Sequence, residues 1–329
     1  MKTDTTLILD KRSVEGLVGI RDAAKAVEYA FREQGLGRTQ MPAKMYLHLD
    51  RYAGDFRAMP AYIERLNRCS LKWVNVHPKN KSLGLPTVMA VIILSDPRNG
   101  FPLCVMEGSY ATALRTGAAG AVAAKYLARK DSAVIGMVGC GVQARMQLQA
   151  LREFFNIRQV MVWGNERACV RDFIRDMKKS HLKFRAAASV EDCVRPSDIV
   201  ITSTPSRRPL VRLAWLKKGA HINAIGADAK GKEELEPAIL KEAKVVVDSW
   251  EQASHSGEIN VPLSKGLISK RDVYAEIGQI VCGKKRGRAG KDELTVFDST
   301  GLAIQDVAIA DLIYRRAIRK KVGTRVRFV

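Results

Sequence analysis

Short apolar runs parted by polar, glycine-containing turns dominate the pattern of the chain, and their spacing divides it in two. From Met45 to Met106 the runs follow one another closely. Met45–Leu49, Phe56–Ile63, Ser70–Val76, Thr87–Leu94 and Phe101–Met106 all have strand length and strand composition. The turn Asp96-Pro97-Arg98-Asn99-Gly100 separates the last two. Ahead of them, residues 14–36 set Leu17, Ala23, Val27 and Phe31 at helical spacing and run out at Gly35 and Gly37.

The spacing changes near Ser109. Thr116–Arg129 is alanine-rich and helical, with Thr116 a candidate cap. Apolar runs then recur at Ile199–Thr202, Ala220–Ile225, Lys244–Asp248 and Leu294–Phe297, separated by helical or loop segments, as in a doubly wound parallel sheet. A last helix, Ile304–Lys320, lies beyond the final strand and is expected to return to the first region. The predicted fold class is therefore α/β: a doubly wound parallel sheet over residues 116–303, plus an α+β domain split between 1–115 and 304–329.

One stretch gives the second region its chemistry. The run Val134, Ile135, Met137, Val138 ends at Gly139-Cys140-Gly141-Val142-Gln143-Ala144. An amphipathic run (Met146, Leu148, Leu151, Phe154, Phe155) and a second apolar run, Val160–Trp163, follow. This is the strand, glycine turn, helix and strand of a Rossmann dinucleotide site, with alanine in place of the last glycine. Gly139 permits the tight turn, and Gly141 lets backbone approach a pyrophosphate. The helix opening at Val142 and Gln143 offers unpaired N–H groups to that anion.

Cofactor choice turns on the end of the second strand, Gly164-Asn165-Glu166-Arg167. NAD-specific sheets carry Asp or Glu there to hold the ribose 2′-OH. Gly164 with Asn165 and Arg167 beyond it leaves room and charge for a 2′-phosphate, whereas a shift of one residue would make Glu166 the ribose carboxylate. NADP(H) and NAD(H) both remain open.

Composition narrows the classes. The chain has 329 residues, 47% hydrophobic and 27% charged, enough for two domains with cores of their own. Its longest apolar stretch, Leu85–Leu94, is too short to span a bilayer, and Met1–Asp10 shows no signal peptide, so a cytoplasmic protein is expected. Six scattered cysteines, without C-x-x-C, suit reduced thiols. Five scattered histidines give a metal nothing to sit on, and His221 reads as packed rather than catalytic. Basic residues outnumber acidic ones 55 to 34, a net charge of +21. Aromatic residues make up only 6% and do not alternate with the basic clusters, so the charge reads as a solvated face that attracts anionic ligands rather than as a nucleic-acid surface.

Charged residues beside apolar runs are the remaining candidates. Asp228 follows the strand Ala220–Ile225 at the edge where such sheets bind ligands, a position for a general acid or base. Lys72 lies inside an apolar strand and needs a partner there. Arg57 and Arg115 are forked donors suited to a carboxylate or phosphate.

Together DFRAMPAY, SLKWVNVHPKN, GLPTVMA, ALRTGAAGAVAAKYLAR, GCGVQA, ITSTPS, INAIGAD, GEIN and VFDSTGLAIQD, in this order, resemble the ornithine cyclodeaminase/μ-crystallin family, and within it the archaeal alanine dehydrogenases. The resemblance runs from about residue 10 to the C-terminus. It implies a Rossmann domain with a split substrate and dimerisation domain, a homodimer, and interconversion of a small L-amino acid, alanine first, with its 2-oxo acid and ammonia through an imine. A cyclodeaminase, a ketimine reductase and a μ-crystallin-like NADPH-dependent binding protein are the alternatives. By resemblance Arg57 holds the substrate carboxylate, Lys72 hydrogen-bonds that carboxylate or the reacting centre, and Asp228 is catalytic. Thr87, Arg115, Thr116, Thr204, Ile225, Gly226 and Ser299 meet the cofactor. Gly164 departs from the Asp of many members.

Overall fold

The computed structural model describes residues 5–178 and 181–328. The chain folds into two units: Met1–Arg115 with Leu302–Val329, and Thr116–Gly301.

The first unit is built on a sheet of eight strands. Its members are β1 (Thr6–Leu9), β2 (Thr39–Gln40), β3 (Met45–Leu49), β4 (Gly54–Ile63), β5 (Arg68–Val76), β6 (Val88–Ser95), β7 (Pro102–Glu107) and a C-terminal strand, Thr324–Val326. From that C-terminal strand the order runs β1, β7, β6, β5, β4, β2, with β3 also on β4; all pairs are antiparallel except β1 with β7. Alternation separates the two faces. Met59, Ala61 and Ile63 of β4, Val74 of β5, and Ile92 and Leu94 of β6 are buried with α2 (Ile20–Gly35) and the C-terminal helix Ala303–Lys320. The other face leaves Met45, Leu47, Trp73, Val91 and Ile93 exposed.

Two helix expectations need correction. The single helix expected over 14–36 is two, α1 (Lys11–Leu17) and α2, parted at Val18, whose backbone is extended. Asp22 accepts the Gly19 amide at 3.4 Å, and Arg316 bonds both Asp22 and the Leu17 carbonyl, so side chains take over what the helix would have supplied. The helix expected from Thr116 begins seven residues earlier, as α3 (Ser109–Leu127), because the Glu107 carboxylate accepts the amides of Ser109 and Tyr110. Thr116 thus lies inside a helix rather than capping one.

The second unit is a parallel sheet of eight strands. They are β8 (Val134–Val138), β9 (Gln159–Trp163), β10 (Lys183–Ala186), β11 (Ile199–Thr202), β13 (His221–Ala224), β15 (Lys244–Val247), β16 (Val273–Glu276) and β17 (Thr295–Asp298). They lie in the order β10-β9-β8-β11-β13-β17-β15-β16, while β12 (Arg207–Val211) pairs with β14 (Glu233–Leu235) apart from them. Chain order reverses direction at β8, which places a crevice at the carboxyl ends of β8 and β11. β11 and β13 are buried along their whole length, as strands covered on both faces must be. His221 is packed there, sharing hydrogen bonds with Thr295 and Asn223, and burial pulls it down to about 3.

Helix α4 (Val142–Leu151) follows β8, and α5 (Arg167–Met177) follows β9. The expectation of reduced thiols is overturned at one pair. Cys140 of the glycine turn and Cys169 of α5 form a disulfide although 29 positions apart, because β8 and β9, the strands that lead to them, lie side by side.

Candidate functional site

The glycine turn has the form that an anion cradle requires. Gly139 adopts φ +111°, a backbone that disfavours a side chain, and a Cβ there would stand 2.9 Å from the Ser203 carbonyl. Its amide donates to the Trp163 carbonyl at 2.9 Å, tying the turn to β9. Gly141 is different: at φ −81° any residue fits, and a Cβ would meet nothing within 4 Å. It is the N-cap of α4 and provides no side-chain cap for the first amides of that helix. Val142 is exposed, and the Gln143 Oε1 is buried without a hydrogen-bond partner. A positive helix end and open backbone together fit a dinucleotide's pyrophosphate.

At the end of β9, Gly164 has no room for a side chain, because a Cβ would lie 2.5 Å from the Cys140 sulfur. Asn165, Glu166 and Arg167 follow, all exposed. No carboxylate can stand at position 164 unless Cys140 moves.

The ends of β11, β13 and β17 hold a buried acidic cluster absent from the expected site. Glu234 Oε1 accepts the Thr204 amide and hydroxyl, each at 2.7 Å, and its Oε2 accepts the Gly226 amide at 3.0 Å. Glu258 accepts the amides of Glu234 and Leu235. Burial pushes Glu234 up to about 7 and Glu258 well above the usual range, with Glu234's charge adding to the latter. Thr204 and Gly226, expected to meet the cofactor, are thus fixed from behind by one carboxyl. Ile225 donates its amide to the Thr202 carbonyl at 2.9 Å. Ser299 donates its amide to the Ala224 carbonyl at 3.0 Å, and its buried hydroxyl has no hydrogen-bond partner. Asp228 is half-buried and ion-paired with Lys232 at 2.6 Å, one helical turn of sequence away.

The first unit gathers its own cluster on the buried face of its sheet. Register pairs Arg57 with Val74 and Lys72 with Met59, so the two cations stand diagonally on the same side. Lys72 is 1% exposed and lies 2.8 Å from Asp306, in the first turn of the C-terminal helix. Arg115 donates to the same carboxylate through Nε at 3.1 Å and to Gln305 through Nη1 at 3.0 Å. Burial and the Arg115 charge pull Lys72 down to about 7, against the opposing pull of Asp306. Arg57 pairs with Asp55 at 2.8 Å and lies over the Tyr46 ring at 5.2 Å. One carboxylate serves two buried cations, so the cluster carries spare positive charge suited to an anionic ligand.

Arg57, Lys72, Thr87 and Arg115 therefore belong to the first unit, and Thr116, Gly139, Gly141, Val142, Gln143, Gly164, Asn165, Arg167, Thr204, Ile225, Gly226, Asp228 and Ser299 to the second. Thr87 is half-buried, its carbonyl accepting the His77 amide at 2.8 Å. Asp306 and Gln305 were missed. Their signal is a charged and an amide residue set among Ala303, Ile304, Val307 and Ala308, with no polar face to occupy.

Residues 4–321 match the ornithine cyclodeaminase/mu-crystallin family. An alanine dehydrogenase of Archaeoglobus fulgidus is 51% identical over 326 residues, 98% of each chain. Among solved structures, an archaeal alanine dehydrogenase dimer with bound NAD superposes with a TM-score of 0.95 at 50% identity, covering 99% of this chain and 100% of that one. A Δ(1)-pyrroline-2-carboxylate reductase of Thermococcus litoralis, in complex with NADH and L-proline, gives 0.95 at 38% identity, over 98% and 100%. The chain belongs to the ornithine cyclodeaminase/mu-crystallin family.

Proposed function

We propose that the protein is a nicotinamide-dependent amino-acid dehydrogenase that interconverts a small L-amino acid, L-alanine first, with its 2-oxo acid and ammonia. The observation that carries this reading is the 51% identity to an alanine dehydrogenase over nearly the whole chain. Chemistry of the two units supports it. Gly139, Gly141, Val142 and Gln143 hold the pyrophosphate, and Thr204, Ile225, Gly226 and Ser299 line the nicotinamide end. Thr87 and Thr116 add cofactor contacts. Arg115, its Nε and Nη1 taken, keeps Nη2 for an anion. Gly164, Asn165 and Arg167 leave room and charge for a 2′-phosphate, while the exposed Glu166 beside them offers a carboxylate to a ribose 2′-OH, so NADP(H) is admitted beside NAD(H).

When bound, the nicotinamide exchanges hydride with the substrate Cα. Arg57 and Lys72 fix the substrate carboxylate by charge-assisted hydrogen bonds and thereby orient the Cα–H bond. Held near 7, Lys72 is neutral in part of the molecules at that pH, and in those it is matched to taking a proton from the substrate amine while Arg57 alone holds the carboxylate. Asp228 takes the proton of the water that adds to the imine and returns it to the departing ammonia.

A panel of 2-oxo acids with ammonium, and of cyclic imines, against NADH and NADPH separately tests the whole reading. Pyruvate with ammonium is expected to oxidise the reduced cofactor. Turnover confined to cyclic imines would make the protein a ketimine reductase, and release of cyclic product without net reduction would make it a cyclodeaminase. Binding without turnover would leave a ligand-binding protein.

The two glycines of the turn separate binding from folding. Gly141→Ala should leave the melting temperature unchanged, because the new methyl meets nothing, yet weaken NADH about tenfold or more in a calorimetric titration by standing in the anion's path. Gly139→Ala should lower the melting temperature itself, since φ +111° and the Ser203 carbonyl both oppose it.

We also propose a cytoplasmic homodimer. The outer face of the first sheet exposes Leu47, Trp73, Val91 and Ile93 side by side, an apolar surface suited to a second copy. Val91→Lys with Ile93→Lys should halve the mass measured by light scattering. An unchanged dimer mass would place the interface elsewhere.

A further inference from the structure

The cysteine pair at the glycine turn serves no step above, and its position is unusual. Cys140 is the middle residue of Gly139-Cys140-Gly141 and is only 6% exposed. Its partner Cys169 is half-buried in the first turn of α5, the helix that begins at Arg167 beside the cofactor-choosing turn. Their Cα atoms are 6.0 Å apart, inside the range a disulfide spans without moving backbone. The Cys140 sulfur fills the space a side chain at Gly164 would take, so it is seated beneath the turn with little room to withdraw. Arg145 grips the same turn, donating to the Cys140 and Gly141 carbonyls, and is itself anchored by Asp176 at 2.6 Å. Cys69, Cys104, Cys193 and Cys282 form no disulfide, and burial pushes the Cys104 and Cys193 thiols up to about 12.

We propose that Cys140 and Cys169 are a reversible thiol–disulfide couple that sets the affinity of the glycine turn for its dinucleotide, a proposal that rests on the dehydrogenase reading only in taking this turn to hold the pyrophosphate. The oxidant is a low-molecular-weight disulfide of the glutathione class. The thiolate of Cys169, the more accessible sulfur, attacks it, releasing one small thiol and forming a mixed disulfide. Cys140 then displaces the second small thiol. Two protein thiols have lost two electrons and two protons, and one small disulfide has become two thiols. The bonded form holds the turn in the shape that opens the α4 amides. In the reduced form the sulfurs must part to van der Waals distance, and with the Cys140 sulfur already lodged in the space a side chain at Gly164 would take, the separation is taken up by the turn or by α5. Oxidation therefore preorganises the cradle and reduction loosens it.

The test uses the full-length protein, oxidised with glutathione disulfide or reduced with dithiothreitol. Alkylation under denaturing conditions followed by mass measurement should find two fewer free thiols in the oxidised protein, and digestion should recover a peptide joining Cys140 to Cys169. NADH should bind about tenfold more weakly to the reduced form, a coupling of ordinary allosteric size, and reoxidation should restore it. Cys169→Ser should bind NADH at the reduced level under both conditions. Equal NADH affinity in the two forms, or no joined peptide after oxidation, overturns the couple while leaving the dehydrogenase reading intact. Failure of both forms to bind NADH or NADPH overturns the dinucleotide reading and the couple together.

Discussion

Asp306→Ala should lower the free energy of unfolding by about 3–5 kcal/mol, the scale for removing one partner of a buried ionic group. Asp306 is wholly buried and is the carboxylate shared by Lys72 at 2.8 Å and Arg115 at 3.1 Å. Without it two cations remain in a region walled by Met59, Val74 and Ile92, and Arg115 is left with the Gln305 carbonyl as acceptor. Replacing both ends, Asp306→Leu with Lys72→Met, should cost less than Asp306→Ala alone, because the orphaned lysine is removed along with its partner. Urea unfolding followed at Trp73, the one tryptophan of the first unit, reads this directly. A loss under about 1 kcal/mol would mean that the cations do not depend on this carboxylate.

The same cluster imposes a pH dependence. Lys72 is pulled from 10.5 to about 7 by burial first and by Arg115 next. Below about 7 the lysine is protonated whether folded or unfolded, and the cost of burying its charge is fully present. Between about 7 and 10.5 the unfolded chain holds more protons than the folded one, so this group makes stability rise with pH across that window. Lys72→Met should flatten the rise in unfolding curves collected over the same range.

Periodicity exposed the fold where burial alone decides it. β8 and β11 read as strands because they are buried and almost wholly apolar, β13 because its run Ala220–Ile225 is apolar apart from His221 and Asn223, and β4, β5 and β6 because one face is covered. The helix boundaries escaped because capping side chains set them: Glu107, just ahead of Ser109, starts α3, while Asp22 and the distant Arg316 hold the chain open at Gly19. Site legibility followed the same division. A turn such as Gly139–Ala144 carries its chemistry in adjacent residues and can be recognised locally. Lys72 could be seen to need a partner, but the partner is 234 positions along the chain, and an aspartate in the first turn of a helix passes for ordinary dipole compensation. Glu234 and Glu258 were hidden for the opposite reason. Each is an acidic residue in a loop-rich segment, and only folding reveals that both are wholly buried, Glu234 accepting the amides of Thr204 and Gly226 and Glu258 those of Glu234 and Leu235. Cys140 and Cys169 lack any spacing signature, since their meeting depends on β8 and β9 lying side by side.

Asp228→Asn should lower kcat by about 10²–10⁴, the usual contribution of a positioned acid–base group, while leaving the NADH dissociation constant within about twofold. Asparagine keeps the volume of the side chain and one acceptor oxygen, so the loop after Gly226 has little reason to rearrange. What it loses is the capacity to take a proton from water adding to the imine. Because only the transition state uses that capacity, kcat and kcat/KM should fall together and KM should move little. Lys232 provides the control. It lies 2.6 Å from Asp228, and Lys232→Met removes the ion pair without removing the carboxylate. If Asp228 acts on the substrate, Lys232→Met changes the pH profile of kcat but retains most of the rate at its own optimum, whereas Asp228→Asn has no optimum at which the rate returns. Equal losses from both substitutions, or a fall in cofactor affinity as large as the fall in kcat, would assign the pair to holding the loop. The imine would then have to draw on Lys72 alone for its proton traffic, and the neutral fraction of that lysine near pH 7 would become the quantity that sets the rate.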